Sequence, residues 1–241
     1  MQARLWVGAL AILAASAAFQ HASAQTWPTK PIRLIVGFAS GGPTDTLART
    51  VADGLTAVLA QPTVVENKPG AAGNLAAEAA AKAAPDGHTL FLGAMGPFSI
   101  NAVLFDNLPY DPKRDWAPIT VVARTPFLLG INPELPAKSL AEFIDYAKSN
   151  RDKMNHSSPG VGTMPQLAAE LFRMSAGFDS TNTQYRSSPL MLNAVIQGEV
   201  QWTVDVPLTS LPQYQAGKIR VLATTSPQRL STAPDIPTFA E

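Results

Sequence analysis

Ile32-Arg33-Leu34-Ile35-Val36-Gly37-Phe38 runs directly into Ala39-Ser40-Gly41-Gly42-Pro43-Thr44-Asp45. The first seven residues are apolar apart from Arg33 and Gly37, the composition of a strand buried on both faces. The chain then turns through small residues, and Pro43 opens a helix where its missing N–H costs nothing. Asp45 favours the positive end of that helix. Leu47, Val51, Leu55, Val58 and Leu59 follow at helical spacing and predict one apolar face.

The same strand–helix alternation continues downstream. Residues 63–65 read as a second strand, residues 74–84 as an alanine-rich helix with Glu78 and Lys82 at i,i+4, and residues 89–92 as a third strand after the Pro85-Asp86-Gly87 turn. Residues 121–122 and 127–131 read as strands around Pro126. Ser139 with Glu142 forms a capping box ahead of Leu140, Phe143, Ile144 and Ala147. Residues 155–157 enter the loop Gly160-Val161-Gly162-Thr163, and the helix after it carries Leu167, Leu171 and Met174 on one face. Ser188-Pro189 opens a helix that Gly198 closes, and strands over 200–205 and 219–224 flank a short helix ending at Gly217. This alternation predicts an α/β fold with mostly parallel sheets and helices packed outside.

Upstream, Arg4 precedes an apolar run over residues 5–19, and Ala22-Ser23-Ala24 supplies a small-x-small cleavage pattern. The segment reads as a secretory signal peptide cut after Ala24, placing the mature chain outside the cytoplasm. A membrane anchor is the weaker reading, because the run is short of the roughly 20 residues that span hydrocarbon.

Composition narrows the function. The 241 residues hold 18 basic and 18 acidic side chains, without the basic excess of a nucleic-acid binder. Charged residues make up 15% of the chain and hydrophobic ones 46%, which argues for a packed core and against disorder. Cysteine is absent, so disulfides, thiolate metal sites and a cysteine nucleophile are excluded. Only His21, His88 and His156 could serve a metal or a triad. Residues 37–41 place Ser40 one position too late for a nucleophile elbow, the Walker pattern is missing, and Pro165 stands where a dinucleotide fingerprint needs its third glycine. Asp45, Glu199 and Asp205 have no metal-ligand spacing. His88 reads as a solvated turn residue. His156 lies at a strand end, where it could face a ligand. No catalytic residue, metal or cofactor is expected.

What remains are two loops of one design, residues 38–45 and 157–163. Each follows a strand, is built of small residues and leads into a helix N-terminus, where free N–H groups and the helix dipole favour an anion. Ordinary turn chemistry explains either loop alone. Together they point to carboxylate binding, with Phe38, Ala39, Ser40, Gly41, Gly42, Thr44 and Asp45 in the first loop and Ser158, Gly160, Val161, Gly162 and Thr163 in the second. The N–H groups around Ser40–Gly42 are expected to point into a cleft, facing the second loop. Asp205, at a strand's carboxyl end, either accepts a ligand's ammonium or hydroxyl group or fixes a neighbouring loop.

Several ordered motifs resemble one family. They are Trp27-Pro28-Thr29-Lys30-Pro31-Ile32-Arg33, Gly41-Gly42-Pro43-Thr44-Asp45, Val65-Glu66-Asn67-Lys68-Pro69-Gly70-Ala71-Ala72-Gly73-Asn74, Pro85-Asp86-Gly87-His88-Thr89-Leu90, Leu108-Pro109-Tyr110-Asp111-Pro112, Gly160-Val161-Gly162-Thr163 and Ala233-Pro234-Asp235-Ile236-Pro237-Thr238. The chain resembles the Bug-type substrate-binding proteins of tripartite tricarboxylate transporters. The resemblance implies a two-lobed periplasmic binding protein of type II, the Venus flytrap form, holding a small carboxylate between loops of its lobes. Dicarboxylates, tricarboxylates, amino acids and aromatic acids all fall within that class. It implies delivery to a membrane permease of a tripartite carrier and a monomeric state. Lobe 1 would span residues 25–125 with 225–241 returning to it, and lobe 2 residues 126–224. Ser40 stands where the family often has proline, His88 where it has tyrosine, Arg186-Ser187 where it has lysine and glycine, and Asn193 where it has aspartate. Family chains run on past Glu241, so the resemblance implies a C-terminally shortened lobe 1 with exposed apolar surface. A sensory receptor sharing the fold is the alternative function, and a secreted hydrolase a further one.

Overall fold

A computed structural model of the chain describes residues 27–241; the expected signal peptide and its expected cleavage after Ala24 lie outside them. β1 (Ile32–Val36) is the centre of a three-stranded parallel sheet in the order β2-β1-β3, with β2 (Thr63–Asn67) and β3 (Thr89–Leu92) on its flanks. Ile32, Leu34, Ile35 and Val36 are buried, as the apolar run requires. Arg33 escapes burial by reaching across the sheet to Glu66, with Nε and Nη2 at 2.7 and 2.8 Å from its carboxylate oxygens.

α1 (Pro43–Leu59) begins at Pro43 and ends at Ala60, which adopts a left-handed φ of 53° and returns its N–H to Thr56. Its packed side is made by Ala48, Val51 and Ala52 against Leu34, Val36, Val65 and Leu90. Val58, placed on the same face by its spacing, is instead exposed, because the sheet ends before the last turn reaches it. α2 (Asn74–Ala81) and the short α3 (Asn101–Leu104) complete this unit.

The second sheet has five strands in the order β6-β5-β7-β4-β8: β4 (Leu128–Ile131), β5 (Asn155–Ser158), β6 (Thr181–Gln184), β7 (Trp202–Asp205) and β8 (Arg220–Thr224). β5 is parallel to β6 and β7, but β4 runs antiparallel to both β7 and β8. All four β4 residues are buried, and a run buried on both faces carries no mark of its direction. β6 has no apolar alternation and escaped the sequence reading. It is a mostly exposed edge strand held by its backbone pairing with β5. Residues 121–122, expected as a strand, lie in the exposed, unpaired segment 117–125.

α4 (Leu140–Ser149) is capped by Ser139, whose Oγ accepts the Glu142 N–H at 3.2 Å. The Glu142 carboxylate accepts from the Lys138 N–H rather than from Ser139 itself. α5 (Met164–Ala176), α6 (Ser188–Ile196) and α7 (Pro207–Gln215) follow. α5 corrects a sequence expectation, since Leu171 and Met174 face solvent at 68% and 70% exposure. Its packed side is Ala168, Ala169, Phe172 and Ala176. Phe172 decides this rotation, because it joins Phe143, Phe178 and Trp202 in one aromatic cluster with ring centroids 5.6 to 6.3 Å apart.

The two faces of β4 feed two cores. Leu129 and Ile131 pack with the Trp202 cluster, and Leu128 packs with Leu192, Val195, Ile219 and Val221. The tail after β8 also lies on this sheet. Ala233 and Ile236 enter the second core, Phe239 packs 5.4 Å from Phe172, and Thr224 bridges Thr238. The sequence reading sent residues 225–241 back to the first lobe. Three apolar anchors and the hydrogen bonds Thr224 N–H to Pro237 and Phe239 N–H to Thr224 hold them on the second instead. No helix among the described residues is long and apolar enough to cross a membrane.

Candidate functional site

The loop after β1 is organised by Asp45. This carboxylate is buried in the first turn of α1 and gathers four close donors and, at 3.4 Å, the Ser40 hydroxyl. It accepts the Gly41 N–H at 2.9 Å, Arg49 Nε and Nη2 at 2.9 and 3.1 Å, and Asn67 Nδ2 at 2.9 Å. Burial pushes its pKa up, and the Arg49, Gly41 and Asn67 hydrogen bonds more than offset this, bringing it down to about 2. Asp45 is therefore ionised at neutral pH, with its charge directed at its own loop.

This revises the expected anion site. The Gly41 N–H is committed to Asp45, and the Gly42 N–H points back to the Ala39 carbonyl at 3.4 Å. The donors left at the tip are the N–H groups of Ala39 and Ser40, for which no acceptor occurs among the described residues; the Ser40 hydroxyl donates to Asp45 Oδ2 and accepts from Arg49 Nη2, each at 3.4 Å. Phe38 and Thr44 are half-buried beside them, and the Phe38 carbonyl accepts from Asn67 Nδ2 at 3.0 Å. Asn67 was not singled out from the sequence. Its one visible signal is a polar side chain ending an apolar strand.

The carboxyl ends of β1, β2 and β3 are stacked closely. A Cβ on Gly37 would stand 2.9 Å from Gly73 Cα, and one on Gly73 would stand 3.1 Å from Pro97 Cγ. Between them, Gly70, Ala71, Ala72 and Gly73 all adopt positive φ, at 136°, 46°, 54° and 89°. For the two alanines this conformation is strained by about 1–2 kcal/mol each. The Gly73 N–H to Gly70 carbonyl bond at 2.9 Å and the Asn101 Nδ2 to Ala72 carbonyl bond at 3.3 Å hold the loop in place.

The loop after β5 is also tied internally. Thr163 Oγ1 donates to the Gly160 carbonyl at 2.7 Å, and the Gly162 N–H donates to Gln166 Oε1 at 3.0 Å. Ser158 is fully buried, and among the described residues its Oγ has no partner. Val161 is exposed at the tip. The nearest neighbours of Gly162 are Leu104 and Asn101, on the segment that follows β3. The second glycine loop thus meets the β3–α3 segment, which sequence reasoning had not assigned to the site. Two surface cavities, of about 640 Å³ beside Tyr110 and Arg114 and about 250 Å³ between α6 and α7, are lined by no residue of these loops.

Asp205 takes the loop-fixing role of the two open to it. It is fully buried at the end of β7, with Oδ1 accepting Ser188 Oγ at 2.9 Å and Oδ2 accepting Thr209 and Ser210 hydroxyls at 2.5 and 3.2 Å. Burial raises its pKa, against these hydroxyls and the Val206 N–H. It clamps the starts of α6 and α7 together. Asp205→Asn is expected to weaken binding of amino-acid and simple dicarboxylate probes by the same factor, and to lower the melting temperature. A calorimetric loss confined to amino acids would return Asp205 to ligand contact.

Both described histidines, His88 and His156, make structural contacts. His88 is buried, accepts the Thr29 N–H at Nε2 (3.2 Å) and sets Nδ1 3.1 Å from the Asp86 carbonyl, so it stitches the chain start to the turn instead of facing solvent. His156 is fully buried, stacks on Trp202 at 4.6 Å and meets Ser180 Oγ at 3.0 Å.

Two α/β units, each with a small-residue loop at the carboxyl end of a strand, define the fold of a periplasmic binding protein. The chain belongs to the tripartite tricarboxylate transporter family of receptors, whose family profile matches residues 47–241. A UPF0065 protein of the gbd 5' region in Cupriavidus necator is 35% identical over 253 aligned positions, covering 100% of this chain and 75% of the relative. Among solved structures, R. palustris Rpa4515 with adipate superposes with a TM-score of 0.86 at 36% identity, over 89% of this chain and 72% of the other. MatC (Rpa3494) from Rhodopseudomonas palustris with bound malate gives 0.82 at 33% identity, over 88% and 72%. Family and fold are those of a substrate-binding receptor.

Proposed function

We propose that this chain captures a small carboxylate outside the cytoplasm, after cleavage following Ala24, and presents it to the permease of a tripartite carrier. The observation that carries the reading is the Asp45-locked loop, which leaves the Ala39 and Ser40 N–H groups at the tip beside a helix N-terminus. These donors suit a carboxylate. The second loop, with the unpartnered Ser158 hydroxyl at its root, supplies the opposing side. Relatives with adipate and malate support the dicarboxylate class. The chain passes from lobe 1 to lobe 2 near residue 125, and Ser40, Gly41, Gly162 and Thr163 are assigned to ligand binding on this reading.

The test is calorimetric titration with malate, adipate and a tricarboxylate, alongside Gly41→Val. Gly41 has a φ of 79°, where a β-branched residue is strained, and open space lies around its missing Cβ. The variant is expected to bind at least tenfold more weakly while keeping its helical signal. Unchanged affinity in Gly41→Val would remove the loop from the site. The absence of any heat or melting shift with all three acids would remove the carboxylate reading.

A further inference from the structure

We infer that Asn101 is the seat on which the second glycine loop closes, and so a positioning residue for ligand retention. The inference rests on the receptor reading, because it assigns the contact to closure.

Asn101 is fully buried at the start of α3. Its Nδ2 donates to Asn74 Oδ1 at 2.6 Å and to the Ala72 carbonyl at 3.3 Å. Both partners are acceptors, which fixes the orientation of the amide. Asn74 is itself buried, and its Oδ1 also accepts the Tyr110 hydroxyl at 2.7 Å. The Asn74 side chain, itself fixed by Tyr110, and the Ala72 carbonyl thereby hold Asn101 rigid. Its Oδ1 has no donor among the described residues, although leaving a buried carbonyl unsatisfied is costly.

That oxygen is directed at Gly162. A Cβ on Gly162 would stand 3.1 Å from Asn101 Oδ1 and 2.9 Å from Leu104 Cδ1. The Leu104 methyl can swing aside, but Asn101, held by two hydrogen bonds, cannot. Position 162 therefore needs glycine twice over: for its φ of 76°, and for the approach of its Cα to Asn101. The contact joins the three-stranded unit to the five-stranded one, and its geometry is met only when the loop is seated. A polar atom buried without its own partner, covered by a backbone from the other unit, suits a surface that is wet when open and closed over when ligand is held.

The chain has no cysteine, so spin labels can be placed at Val103→Cys and Leu171→Cys, both on exposed side chains. Pulsed distance measurement on the free protein and with malate reads the seated population. Asn101→Leu and Gly162→Ala are each expected to lower it at least threefold, and the double variant no further, since both remove one contact. Tyr110→Phe, which deletes a single bond to Asn74, should give a smaller loss with the melting temperature held. An unchanged seated population in Asn101→Leu and Tyr110→Phe, or losses that multiply in the double variant, overturns the inference. If malate leaves the parent unaltered while the variants still unseat the loop, the seat stands and the ligand class fails. If malate binds and Asn101→Leu closes as the parent does, the seat alone fails.

Discussion

Trp202→Ala is expected to lower unfolding free energy by about 3–5 kcal/mol, the range for truncating a large buried aromatic. Trp202 is fully buried in β7 and is the hub of the larger core. Phe143, Phe172 and Phe178 meet it edge-on or tilted at 5.7 to 6.0 Å, and His156 stacks on it at 4.6 Å. Its Nε1–H donates to Ser180 Oγ at 3.1 Å, so truncation leaves both a cavity and a disturbed polar group. Urea unfolding checks the value: the midpoint should fall sharply with little change in slope. Trp202→Phe keeps most of the apolar contact, loses the hydrogen bond and should cost much less. A Trp202→Ala midpoint within experimental error of the parent would mean that the five-stranded sheet is held by its second core alone.

Acid should destabilise the protein in a window set by His156. Desolvation lowers its pKa to about 4, against the opposing pull of Glu170, whose Oε1 stands 3.5 Å from Nε2. Ser180 Oγ accepts from Trp202 and is placed to donate to His156 Nδ1, which suits the neutral ring with its proton on Nε2. In the unfolded chain the ring takes a proton near pH 6.5, whereas in the folded chain it stays neutral down to about 4. The unfolded state therefore binds more protons across this window, and stability falls as pH drops from 6.5 towards 4. The difference amounts to about 3 kcal/mol at about 1.4 kcal/mol per unit. Asp45 adds a separate loss at lower pH, as its folded value of about 2 is approached. His156→Phe keeps the stacking on Trp202 and should flatten the decline above pH 4 while leaving the lower one. An identical pH profile in His156→Phe would assign the acid sensitivity to other groups.

Much of this molecule is written in local pattern. The apolar run at 32–36, the proline at the start of α1 and the Ser139 cap each act within a few residues, so β1, α1 and α4 are legible one segment at a time. The order of strand and helix followed, and with it the α/β class; the family rested on the resemblance of the ordered motifs. The two small-residue loops were also visible, since a strand end, a glycine and a helix start are neighbours in sequence.

Other features depend on partners far along the chain. β4 runs antiparallel because of where β7 and β8 lie, and Leu128–Ile131 reads the same in either direction. Phe172 turned α5 so that Leu171 and Met174 face water, a choice made by Phe143 and Trp202 from other elements. Phe239 and Ile236 drew the tail onto the second sheet. Within the site, composition marked Gly41 as a possible donor, but Asp45 had already claimed that N–H in the fold. Gly162 was legible as a turn glycine, while its closeness to Asn101, across 61 positions, exists only in three dimensions. Sequence alone determined most of the strands, helices and small-residue loops, because those choices rest on short-range backbone and side-chain preferences; β6, without apolar alternation, was the exception among the strands. Tertiary structure alone decided which polar groups remain free for a ligand, because a hydrogen bond is exclusive and its partner is chosen by packing.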